Sequence, residues 1–90
     1  MSSVHKQRRI VRERLVRAEG HLHGIVRMVD EEKECPDILL QITAVKAALE
    51  KVGLILLEDH LEHCIVEALK TGNAEPQLES FKAALEKMIR

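Results

Sequence analysis

From Ile38 onward the apolar residues Ile38, Ile42, Val45, Leu49, Val52 and Leu56 are spaced 4, 3, 4, 3 and 4 apart, and Leu40, Ala47, Leu54 and Leu61 mark a second stripe at seven-residue intervals. A mean spacing near 3.5 residues is one face of a helix, so two such stripes describe a helix buried on two sides. Its start is signalled by Cys35-Pro36-Asp37, because Pro suits the first helical position and an acid suits the first turn. Its stop is Gly72-Asn73. The run between them is about 36 residues, or roughly 54 Å of helix at 1.5 Å per residue. Gly53 is the weak point inside it.

Two shorter helices flank this one. Val11, Leu15, Ala18, Leu22, Ile25 and Val29 repeat the same seam before it, and Leu78, Phe81, Leu85 and Met88 follow Pro76 at intervals of 3, 4 and 3. Gly20 and Gly24 sit inside the first helix at about 1 kcal/mol each relative to Ala, a cost that close packing of another backbone would explain. The expectation is an all-α chain, residues 1–90 forming a single domain of three helices around a long central one. Two short helices cannot cover a central helix with two apolar faces, so helices from another subunit are expected.

Composition narrows what such a chain can do. One Phe, with no Trp or Tyr, leaves no aromatic platform for stacking single-stranded nucleic acid. No apolar stretch approaches a membrane span, and the charged start leads into no signal-peptide core, so a cytoplasmic protein without membrane partners is expected. Two cysteines in a reducing compartment more often serve metal or redox chemistry than cross-links. There is no Cys-x-x-Cys, no nucleophile elbow and no phosphate loop, which argues against a thiol enzyme or redox carrier and for a non-enzymatic role. The net charge of -1 hides an asymmetry: residues 1–29 hold seven basic and two acidic groups (+5), the rest seven basic and thirteen acidic (-6). A basic segment on an otherwise acidic protein fits a polyanionic partner such as DNA.

His60 and Cys64 lie four residues apart on the central helix, so both project from one face and can share an ion. Either residue alone is more often ordinary core or surface. Cys35 cannot join them within one chain, because 25 helical residues to His60 is roughly 37 Å. An antiparallel pair of central helices, with position 35 opposite about position 62, crosses near Ala48 or Leu49, where Ala44, Ala47 and Ala48 permit close approach. Two-fold symmetry then makes two equivalent sites, each built from Cys35 of one chain and His60 and Cys64 of the other. Two thiolates and one imidazole form a soft, low-coordinate set that favours Cu(I) and falls one ligand short of a closed zinc site. A fourth ligand from His63 or His5 would draw the site toward Ni(II), Co(II) or Zn(II). His21 and His23, two apart on a helix, point to different faces and are expected to be solvated.

Arg14-Leu15-Val16-Arg17-Ala18-Glu19-Gly20, Gly24-Ile25, Cys35, Gln41-Ile42-Thr43-Ala44-Val45 and His60-Leu61-Glu62-His63-Cys64 resemble the CsoR/RcnR family of bacterial metal-sensing repressors over nearly the whole chain. The resemblance implies a three-helix protomer paired into an antiparallel dimer and then a homotetramer, a dimer of dimers without a helix-turn-helix. It also implies a repressor that holds operator DNA when metal-free and releases it on binding Cu(I) at Cys35, His60 and Cys64. By the same resemblance the DNA-contacting residues fall on Arg14 and Lys51, with Arg17 and Lys46 as neighbours. Copper sensors of this kind usually carry a Tyr before the first Cys and a Glu on the third helix, where this chain has Glu34 and Ser80. Nickel and cobalt sensors of the family use an extra N-terminal His, formaldehyde sensors pair the first cysteine with the N-terminus, and persulfide sensors lack the His. Retention of Cys35, His60 and Cys64 together favours copper among these effectors.

Overall fold

A computed structural model of the chain describes residues 7–89, and these form three α-helices joined by short turns. Helix α1 is Arg8–Asp30, α2 is Cys35–Thr71 and α3 is Glu75–Ile89. The three-helix, all-α architecture and the long central element expected from the apolar spacing are both present, and α2 is 37 residues long. Among the described residues no helix is long and apolar enough to cross a membrane.

Each helix end has a local cause. α1 closes with Lys33 N–H donating to Met28 O and Glu32 N–H to Val29 O, both at 3.0 Å, which ties off its last carbonyls. Glu32 takes the left-handed conformation there with φ 57°, a position usually left to Gly. Glu34 O accepts from the amides of Asp37 and Ile38, so α2 starts at Cys35, with Pro36 second. That is one residue earlier than Pro in the first helical position would place it. Gly72, with φ 73°, stops α2 while its amide still reaches Ala68 O at 2.9 Å. The Asn73 side chain then accepts from the Glu75 amide, serving the start of α3.

The chain falls into two compact units, Arg9–Val52 and, among the described residues, 7–8 with 53–89. In the first unit Val11, Ala18 and Ile25 are buried on α1 and Val45 and Val52 on α2. The heptad partners on both helices are not: Leu15, Leu22, Val29, Ile42 and Leu49 stay 43–56% exposed. An open groove of about 350 Å³ between α1 and α2 is lined by Leu15, Val16, Ala18, Leu22, Val45 and Leu49. His21 spans the two helices, its Nε2 donating to Gln41 Oε1 at 2.7 Å, so this histidine is half-buried and bonded rather than solvated as expected. Among the described residues no atom from outside the local helix lies within 4 Å of where a Cβ would stand on Gly20 or Gly24, so the close backbone that would explain them is not found there.

In the second unit Ile55, Asp59 and Cys64 are the buried positions of α2. The second apolar stripe is open here, with Leu54 and Leu61 at 51% and 42% exposure. At Gly53 a Cβ would stand 2.8 Å from Met88 Cε, so the glycine that looked like a weak point is where α3 approaches α2.

Candidate metal centre and basic surface

One turn of α2 sets His60 and Cys64 on the same face, and the distance from His60 Nε2 to Cys64 Sγ is 3.9 Å. A thiolate and an imidazole nitrogen this close are donors that one soft ion would be able to share, with His60 and Cys64 holding it from a single turn of helix. Cys64 is buried, and desolvation pushes its thiol above the ordinary value of 9.0. His60 is half-buried and held from α3 on two sides. Ser80 Oγ lies 3.1 Å from its Nε2, and the Phe81 ring stacks on it with centroids 6.2 Å apart and planes at 20°.

Cys35 is exposed at the first position of α2, in the other unit from the pair. Among the described residues of the protomer no three His, Cys, Asp or Glu side chains converge to hold an ion. The half-buried His63 is therefore not gathered with His60 and Cys64. His5 lies outside the described residues.

Immediately before His60 stands Asp59, 4% exposed, the buried charged side chain of the described core. Gln7 Nε2 donates to its Oδ1 at 3.1 Å across 52 residues of sequence. Gln7 is the residue directly ahead of α1.

The basic residues singled out by resemblance all belong to the unit Arg9–Val52. Arg17, Lys46 and Lys51 are exposed and Arg14 is half-buried. At 100° per residue Arg14 and Arg17 share one side of α1, about 60° apart, whereas Lys46 and Lys51 are about 140° apart around α2.

In the sequence Ser80 stands only as a departure from a family pattern, with no signal of its contact with His60. Phe81 fits core spacing alone there, and its stacking on His60 carries no signal either. The link from Gln7 to Asp59 carries no sequence signal, since nothing in a lone Gln before a helix names a carboxylate so far along the chain.

The profile of a family described as metal-sensitive transcriptional repressors matches residues 7–90. The copper-sensing transcriptional repressor CsoR of Bacillus subtilis (strain 168) is 40% identical over 85 residues, covering 94% of this chain and 84% of that protein. The structure of the nickel-responsive transcriptional regulator InrS superposes with a TM-score of 0.84 at 40% identity, over 89% of this chain and 90% of that one. The copper-sensing repressor CsoR with Cu(I) from Geobacillus thermodenitrificans NG80-2 does so with a TM-score of 0.82 at 36% identity, over 91% and 85%. The chain belongs to the metal-sensitive transcriptional repressor family.

Proposed function

We propose that the protein is a cytoplasmic copper-responsive repressor that holds double-stranded operator DNA when metal-free and lets it go when Cu(I) fills a site shared between subunits. The observation that carries this reading is the 3.9 Å approach of His60 Nε2 to Cys64 Sγ on one turn of α2, with Cys35 retained at the start of the same helix. Cys35 of one protomer, with His60 and Cys64 of the partner subunit, completes two sulfurs and one nitrogen, the soft three-donor set that suits Cu(I). Similarity to copper-sensing repressors supports the same choice. When bound, the ion supplies one positive centre that links the two protomers.

The rest is done by the chain's own side chains. Leu40, Leu54 and Leu61 on α2, with Leu15, Leu22 and Val29 on α1, leave apolar surface for an antiparallel dimer and then a homotetramer to cover. A crossing that sets position 35 opposite 62 also sets Lys46 level with Lys51 of the partner subunit. Two lysines lying far apart around one helix are thereby brought to the same level of the dimer, and Arg14 and Arg17 of α1 add to the basic charge of the same unit. Phosphate oxygens are the natural partners of such a set.

The test is anaerobic titration of the operator-bound protein with Cu(I), read by DNA release. Release at about one equivalent per protomer is expected, with Ni(II) ineffective. A second reading, a nickel-, cobalt- or zinc-responsive repressor, rests on similarity to InrS and on His63 beside Cys64 as a further nitrogen donor. Release by Ni(II) and not by Cu(I) would establish it in place of the first.

A further inference from the structure

We propose that Asp59 is a positioning residue that couples the metal centre to the Arg-rich helix α1, acting through its hydrogen bond with Gln7. The inference rests on the repressor reading above and deepens it. Three observations converge. Asp59 is 4% exposed, and a carboxylate is seldom kept in a core unless something requires it there. It precedes His60 directly in α2, so a change in the backbone or tilt of one residue is shared by the other. Its Oδ1 accepts from Gln7 Nε2, and Gln7 is the residue from which α1 begins.

Gln7 reaches Asp59 through one side chain, and Arg8 is already helical, so the anchor lies seven residues, about two turns, from Arg14. A helix is stiff over that span. Drawing His60 toward a partner's thiolate shifts the anchor point and with it the start of the helix that carries Arg14 and Arg17. The buried carboxylate keeps the link intact in both states, because leaving it without a donor costs more than moving the donor with it.

The test compares Gln7→Ala, Asp59→Ala, Asp59→Asn and the double variant Gln7→Ala/Asp59→Ala with wild type. Operator affinity is measured with and without Cu(I), and Cu(I) affinity is measured on the DNA-free protein. In wild type the ratio of operator affinities should fall in the range of roughly 5- to 150-fold usual for an allosteric link. Gln7→Ala should reduce that ratio several-fold while Cu(I) affinity changes by less than about threefold. Asp59→Asn, which keeps an acceptor oxygen, should restore wild-type coupling, and the double variant should be no worse than the worse single one. In the metal-free protein, hydrogen exchange should quicken over the first two turns of α1 in Gln7→Ala and not in Asp59→Asn.

A Gln7→Ala protein with wild-type coupling and exchange overturns the proposal while leaving the copper reading standing. Losses that add in the double variant overturn it equally. A wild-type protein that holds operator equally well with and without Cu(I) removes the copper reading and the proposal together. Gln7 is only half-buried, so its variant keeps the test valid if Asp59→Ala fails to fold.

Discussion

Ser80 Oγ lies 3.1 Å from Nε2 of His60, the same ring atom that approaches Cys64 Sγ at 3.9 Å. One nitrogen cannot offer its lone pair to a hydroxyl and to a metal ion together. With Nε2 as the ligand atom, Ser80→Ala removes a competitor and raises Cu(I) affinity by up to about tenfold, the equivalent of a hydrogen bond of about 0.5–1.5 kcal/mol. Competition titration with a Cu(I) chelator reads this. A fall in affinity would instead assign Nε2 to Ser80 and ligation to Nδ1.

The buried thiol of Cys64 makes metallation depend on pH. Its folded value lies above 9.0 because burial disfavours the thiolate, so at neutral pH a proton must leave for each Cys64 that binds. Cu(I) affinity should therefore rise with pH by up to about tenfold per unit for this one thiol until the raised value is passed. The stability of the metal-free protein runs the opposite way. A group whose folded value is raised contributes fully below its unfolded value, near 9.0, and that contribution is lost as pH climbs through the folded value. Chemical denaturation of the metal-free protein between pH 8 and pH 10 should show the decline, and Cys64→Ser should lessen it.

Glu32 is a non-glycine residue in the left-handed region, at the stop of α1. Glu32→Gly should stabilise the protein by about 0.5–1 kcal/mol by removing the clash of its Cβ, less the backbone entropy of glycine. Thermal unfolding at fixed protein concentration checks it. A lower midpoint would mean that the Glu32 side chain contributes more than its backbone costs.

Operator binding should weaken steeply with salt, with a log-log slope of about -0.9 per phosphate contact, through release of condensed counterions. Arg14→Ala or Lys51→Ala should lower affinity and flatten that slope while Cu(I) affinity stays unchanged, which titrations at three or more salt concentrations can show. An unchanged slope in both variants would move the DNA surface elsewhere.

The helices were legible because an apolar spacing averaging 3.6 residues from Ile38 to Leu56 admits no other regular structure, and because Cys35-Pro36-Asp37 and Gly72-Asn73 are strong punctuation. His60 and Cys64 were legible for the same reason, since residues one helical turn apart must meet. What was missed lies in contacts between helices. The Ser80 and Phe81 contacts with His60, the His21 bond to Gln41 and the Gln7 bond to Asp59 all join residues twenty or more apart in sequence, where spacing within a helix carries no information. Gly53 reads in the sequence as a flaw in one helix, whereas in the fold it is the place where Met88 of another comes close.

A metal site shared between subunits can be rebuilt from two chains that are each damaged in a different donor. Cys35→Ala and Cys64→Ala proteins are each expected to lack a tight Cu(I) site, since every site in either contains one damaged donor. Unfolded and refolded together, they form mixed dimers in which one site draws Cys35 from the Cys64→Ala chain and His60 and Cys64 from the Cys35→Ala chain. The count of tightly bound Cu(I) in the purified mixed dimer is the measurement. One ion per mixed dimer, with none in either parent, is the expected result. No tight ion in the mixed dimer, under conditions where wild type binds two, would contradict a site built across the subunits.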